Sequence, residues 1–493
     1  MACTSAAPLA GSPRRTRPAP AEGGSWMAHR QGMRLRELAA AVRERRASAR
    51  ELVAESLGRI DALDADLGAV VALRADEALE DADALDAAVA DGAEAGALAG
   101  VPLLVKDMTD VAGMRTTFGS RVFAETPAAR SDALVVARLR SAGAIVVGKT
   151  NLPEFAVEGY TSNLLFGPTR NPWNRERTCG GSSGGSAVAI ATGMAAIATA
   201  TDGGGSVRIP ACYCGLYGLK PTNGVIGRDP VPDWIDYSTD GPLSLRADDL
   251  RLLLEVLAGP TPGDPTTRAV HPRTHTTRLG TVFATERWED MGPLPSDAAE
   301  PFRIALARFA EVFGTAPRPI TPAELVGDRK IDHEWVTVCS CEHVHRFGRG
   351  WLEEHTHELS PSARSFLEHG ARVRIEEYLA ARRHRFEYVR TLDELLGADG
   401  VILSPVMAAD AIPAEGPAGG GGSDPSLYVT TMQNLTGLPA LSLPAGAFPS
   451  GVPFGLQVTA PRFRDDLLLW IADRWEEAEG PAPLPPGYEP LAV

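Results

Sequence analysis

Two serines in glycine-rich surroundings and one lysine at the end of an apolar run are the residues of this chain best suited to covalent chemistry. Ser182 lies in GGSSGG (180–185), Ser206 in DGGGSVRIPA (202–211), and Lys106 near the end of GVPLLVKD (100–107). A serine hydroxyl is a weak nucleophile at neutral pH and needs a base to take its proton. Lysine can be that base only when neutral, a form that burial favours because desolvation penalises the ammonium. Lys106 follows the apolar run 101–105, which reads as a buried strand, so its side chain starts at the edge of a core. Gly203, Gly204 and Gly205 carry no β-carbons, so backbone N–H groups from Gly203 to Ser206 can approach a substrate carbonyl closely, as an oxyanion hole requires.

Taken together, Lys106, GGSSGGSAVAIATG, TDGGGSVRIPA and CGLYGLKPT resemble the amidase signature family, whose members hydrolyse amides with a Ser, cis-Ser, Lys triad. FGPTRNPWN (166–174) and NLTGLPALSLPAG (434–446) extend the likeness to about residues 34–250 and 395–475. The resemblance implies Ser206 as acyl-forming nucleophile, Ser182 as a bridging serine in a cis peptide, and Lys106 as base. It further implies oxyanion binding by N–H groups of Gly203, Gly204, Gly205 and Ser206, with Ser183, Asp202 and Arg208 in support. The implied fold is α/β, with a large mixed, mostly parallel central sheet surrounded by helices. No metal or organic cofactor is implied, and the expected ligand is a small-molecule amide. Homodimers are common among members, although no diagnostic interface stands out here.

The chain departs from the family pattern at three places. Gly203 stands where members usually carry Thr or Ile, Cys179 where they carry Pro, and Phe118 where the residue is typically small. Gly203 loosens the backbone that presents the oxyanion donors, and Phe118 narrows or reshapes the acyl pocket. Two further functions fit the same motifs: an amidase-like glutaminase subunit of a tRNA-dependent amidotransferase, which needs partner subunits, and a catalytically weak scaffold relative. The pocket walls are expected near 234–240 and 330–400, where the likeness says least. Phe118, Trp234 and Tyr237 would favour an aromatic or apolar acyl group if they reach the pocket.

The elements that must position these residues follow from periodicity. Leu38, Val42, Leu52, Leu57, Ile60 and Leu63 recur at helical spacing, with Ser48 as N-cap of a second helix. Residues 79–89 read as a third helix. The runs 101–105 and 145–147 read as short buried strands, joined through a helix near 134–140 that returns the chain for parallel pairing. Residues 186–194 are small and apolar all round, as in a helix buried on every side. Residues 197–200 read as the strand delivering the nucleophile loop, 401–405 and 455–458 as late strands, and 301–313 and 374–396 as helices.

Residues 1–32 have the composition of a disordered extension. Arg14 and Arg15 lack the apolar segment of an export signal, and Met27 and Met33 are alternative starts. Residues 33–480 read as a single domain with a divergent helical segment at about 250–395, followed by a Pro-rich tail at 481–493. The 419–422 glycine run reads as a surface loop.

Three competing motifs carry different chemistry. Residues 143–150 satisfy the P-loop pattern, but the four intervening residues themselves form a strand and Pro153 follows, where a P-loop would open a helix. Residues 181–185 satisfy G-x-S-x-G, which would make Ser183 a nucleophile, but the strand that should precede such an elbow is missing from the polar stretch 171–179. Cys339, Cys341, His343 and His345 suggest a metal only if they share a strand face; on a helix they spread around the axis. Arg170, Asn171 and Asn223 read as loop-fixing polar groups, and Asp202 with Arg208 as a brace for the nucleophile loop.

The net charge of −15 disfavours a broad nucleic-acid-binding surface, and no 18-residue apolar run suggests a membrane span. Six cysteines in 493 residues, without regular spacing, fit a reducing cytosol.

Overall fold

The structure, a computed structural model, describes residues 34–268, 278–417 and 428–491; the 1–32 extension and the 419–422 glycines lie outside the described residues. After a first helix (Leu35–Arg43) the chain enters a second, Ala49–Leu67. Ser48 Oγ accepts from Glu51 N, the Glu51 carboxylate accepts from Ser48 N at 2.8 Å, and Gly68 ends the helix at φ 62°. Leu52, Val53, Ile60 and Leu67 form its buried stripe.

That stripe lies against a four-stranded sheet ordered Val70–Leu73, Ile145–Thr150, Pro102–Lys106, Ile197–Ala198. The last three strands run parallel, connected in part by the Leu134–Ser141 helix, while Val70–Leu73 is antiparallel to its neighbour. Pro102–Lys106 is buried at every position, so its sequence has no alternation. Lys106 is its last residue, with its N–H donated to Thr199 Oγ1 at 2.9 Å.

A seven-stranded sheet follows, ordered Leu243–Ser244, Tyr217–Lys220, Ala440–Ala447, Pro453–Thr459, Val401–Pro405, Val282–Ala284, Arg318–Pro319. The architecture is the expected mixed α/β one, although the larger sheet is parallel only around Val282–Ala284. Its other pairs are antiparallel, because Ala440–Ala447 and Pro453–Thr459 form a tight hairpin that cannot pair in parallel. Gly184–Ala191 and Arg208–Cys214 are helices buried at every residue, wedged into one continuous apolar core.

The middle of the chain contributes helices Ser296–Phe313, Ile331–Phe347, Pro361–Arg372 and Ile375–Leu396. A second apolar cluster, including Phe155, Val344, Leu352 and Leu367, ties Ile331–Phe347 and Pro361–Arg372 to the first sheet's loops. Beyond the last helix, Asp465–Glu479, the tail returns to the body: Leu491 is buried, Ala482 N donates to Leu245 O, and Arg59 donates to Glu489 O at 2.6 Å. No described helix is long and apolar enough to cross a membrane.

Candidate active site

The end of the Pro102–Lys106 strand, the start of the Gly184–Ala191 helix and the loop before the Arg208–Cys214 helix converge on one point. There the fully buried Lys106 Nζ lies 2.8 Å from Ser182 Oγ, 2.9 Å from Ser183 Oγ and 2.9 Å from Thr201 Oγ1. The hydroxyls differ in what else they do. Ser183 Oγ donates to Thr201 O at 3.4 Å, and Thr201 Oγ1 to Met108 Sδ at 3.5 Å. Both also lie within reach of Nζ as acceptors. A neutral amine has two N–H groups and one lone pair, so one of the three hydroxyls can donate to it, and of the three Ser182 makes the shortest contact. Burial lowers the Lys106 pKa to about 7, against the opposing pull of Asp202 and Asp240. The Gly181–Ser182 peptide is cis.

Ser206 and Ser182 line a cavity of about 300 Å³, together with Gly203, Thr201 and Met108. Burial also raises Asp240, which lines the same cavity, to about 6. Ser183 N donates to Ser206 O at 3.3 Å, so the two glycine-rich motifs are bonded directly to each other.

The nucleophile loop is held by a buried polar lattice. Asp202 and Arg208, both inaccessible to solvent, form a two-pronged ion pair, with Nη2 to Oδ1 at 2.8 Å and Nε to Oδ2 at 2.9 Å. Arg208 also donates to Gln433, Asn434 and Gln457, while Asn434 donates back to Asp202. Burial pushes the Asp202 pKa up, but Arg208 overrides it and the carboxyl is held at about 2. The expected brace is therefore present, and it extends to a strand and a helix from the far end of the sequence.

Gly205 differs from its expected place among the oxyanion donors. Its N–H is taken by Asp202 Oδ1 at 2.8 Å, which ties it to the brace. The N–H groups of Gly203, Gly204 and Ser206 have no intramolecular acceptor among the described residues. Gly203 itself is confined rather than loose: a β-carbon there would collide with the Trp234 ring, and its carbonyl accepts from Trp335 Nε1 at 2.7 Å.

Part of the cavity wall is aromatic. Phe118, Phe155, Trp234 and His343 contribute to it, with Arg346 over the Phe118 ring at 5.0 Å and paired to Asp233 at 2.7 Å. Tyr237 does not reach it; that ring is buried beneath Arg382 and Arg385. Of Cys339, Cys341, His343 and His345, all on the Ile331–Phe347 helix, only His343 lines the cavity, and burial lowers its pKa to about 4. Among the described residues no three His, Cys, Asp or Glu side chains are grouped to hold a metal ion.

The P-loop lookalike forms the strand Ile145–Thr150. Its Lys149 is buried against Thr109 O, Thr116 and Asp107, out of reach of any phosphate. Asn171 donates to Thr178 O and Tyr213 O, Arg170 to Arg175 O and Glu415, and Asn223 to Asp236 O at 2.5 Å, so all three fix loops. Trp335 and Gln457 hold the site without being marked by the motifs, and Thr201, inside TDGGGSVRIPA, holds it without having been singled out. Of these Thr201 had a signal, a hydroxyl directly before the Asp of the glycine-rich loop.

The sequence model of the Amidase family matches residues 51–314 and 342–469. The glutamyl-tRNA(Gln) amidotransferase A subunit from Chromohalobacter salexigens is 34% identical over 469 residues, spanning 90% of this chain and 96% of its own. Among solved structures, a bacterial aryl acylamidase of the amidase signature enzymes superposes with a TM-score of 0.81 at 25% identity, covering 92% of this chain and 97% of its own. The 6-aminohexanoate cyclic dimer hydrolase complexed with substrate gives 0.80 at 27% identity, with 93% and 99% covered.

Proposed function

The chain belongs to the amidase signature family, and from that premise we propose that it hydrolyses amide C–N bonds through an acyl-enzyme on Ser206. Neutral Lys106 accepts a proton from Ser182, which accepts one from Ser206, and Ser206 Oγ attacks the amide carbonyl carbon. The resulting oxyanion is held by N–H groups of Gly203, Gly204 and Ser206. The amine leaves with the proton returned through Ser182, and water then cleaves the acyl ester and restores the Ser206 hydroxyl. The observation that carries this reading is the 2.8 Å contact of the buried Lys106 Nζ with Ser182 Oγ, at a cavity that Ser182 shares with Ser206.

A second reading, an amidotransferase component releasing ammonia from glutamine for partner subunits, is supported by the name of the curated relatives. Under it the expectation of no nucleic-acid partner lapses, since those relatives are named for tRNA(Gln). The indole and phenyl rings of the cavity wall suit an apolar acyl group, as the first reading requires, while Arg228, Arg346 and Asp240 on the same wall suit the charged end of glutamine, as the second requires. The two are separated by ammonia release from benzamide and from glutamine by the chain alone, with Ser206→Ala as control. Release from benzamide that is lost in Ser206→Ala is expected. Release from glutamine alone would support the amidotransferase reading, and release that survives Ser206→Ala would overturn both.

A further inference from the structure

The two peptide planes that precede Gly205 are held differently. In the Gly204–Gly205 peptide both polar ends are occupied: the Gly204 carbonyl accepts from Thr430 Oγ1 at 2.6 Å and the Gly205 N–H donates to Asp202. In the Gly203–Gly204 peptide only the carbonyl is occupied, by the Trp335 indole N–H at 2.7 Å, and the Gly204 N–H has no acceptor among the described residues. In a trans peptide the C=O and N–H point in opposite directions. Gly203 is part of the cavity wall and Trp335 is not, so a carbonyl drawn outward to the indole turns the N–H inward.

The indole is itself fixed. It packs edge-on against Trp234, with centroids 5.3 Å apart, and against Phe366, and a β-carbon on Gly204 would come within 2.6 Å of its ring. Glycine at 203 and 204 is thus what lets two tryptophans close over the loop. Trp335 lies on the Ile331–Phe347 helix, in the interval between the two stretches matched by the family model.

We propose that Trp335 is a positioning residue for the reaction, its indole N–H holding the Gly203 carbonyl so that the Gly204 N–H is presented to the oxyanion. The hold compensates for glycine at 203, whose backbone would otherwise have freedom at the point where a fixed donor is needed. The inference rests on Ser206 as the nucleophile.

Two variants test it: Trp335→Phe, which keeps a ring but no donor, and replacement of Trp335 by benzothienylalanine, which keeps the bicyclic shape and exchanges N–H for sulfur. The readout is the rate of Ser206 modification by an alkyl fluorophosphonate, followed by intact-protein mass across pH, since the phosphoryl oxygen of that reagent occupies the oxyanion position. Both variants are expected to label roughly tenfold more slowly on the plateau, with the pH midpoint set by Lys106 unchanged. A merely structural role would spare the benzothienylalanine protein, which packs as the wild type does. Wild-type rates in both variants, or slowing that comes with a displaced pH midpoint, would overturn the inference and leave the Ser206 reading standing. Absence of labelling at Ser206 in the wild-type protein would overturn that reading, and the inference with it.

Discussion

Lys106 owes its proposed role to its surroundings, since burial disfavours its charged form and three hydroxyls are its polar contacts. With a pKa of about 7 it is protonated below neutrality and cannot accept from Ser182. Turnover of an amide is therefore expected to fall as pH drops through about 7 and to level off above it; a pH profile of kcat/KM checks this, and an acid limb centred near pH 4 would point to a carboxylate base instead. Lys106→Ala is expected to lower kcat by about 10²–10⁴-fold with the fold intact by circular dichroism. At this scale much of the site was legible, because the Ser182 and Ser206 motifs are contiguous and their glycines mark where backbone must come close. Trp335 was not, since a tryptophan on a helix has many uses until the chain has folded.

At the scale of elements, the nucleophile loop depends on a lattice assembled from Asp202, Arg208, Gln433, Asn434 and Gln457. Arg208→Met leaves Asp202 buried without its counter-charge, and a loss of about 3–5 kcal/mol is expected, measured by denaturant unfolding. Gly203→Thr puts a β-carbon into Trp234; a cost of about 1–3 kcal/mol is expected. Adding Trp234→Ala should recover part of that cost in a double-mutant cycle, and strict additivity would count against the contact. The elements themselves were largely readable. Ser48 ahead of a helical repeat announces a helix start, and the apolar runs 101–105 and 401–403 announce buried strands. The balance of pairing was less so: the antiparallel hairpin of Ala440–Ala447 with Pro453–Thr459 governs the larger sheet, while the parallel units earlier in the chain suggested otherwise.

Across the whole molecule, the two sheets bring together residues as far apart in sequence as Lys106 and Gln457, and the middle helices close one side of the cavity with Phe347, Phe366 and Trp335 behind its wall. Local patterns named the helices of that middle segment without saying which of their faces would meet the loop, because such contacts are set by tertiary packing. The mechanism turns on which serine forms the covalent bond. The most direct measurement is intact-protein mass spectrometry after a serine-directed fluorophosphonate, on wild type, Ser206→Ala and Ser183→Ala. A single adduct in wild type and Ser183→Ala that is lost in Ser206→Ala is the predicted result; an adduct that persists in Ser206→Ala would contradict it.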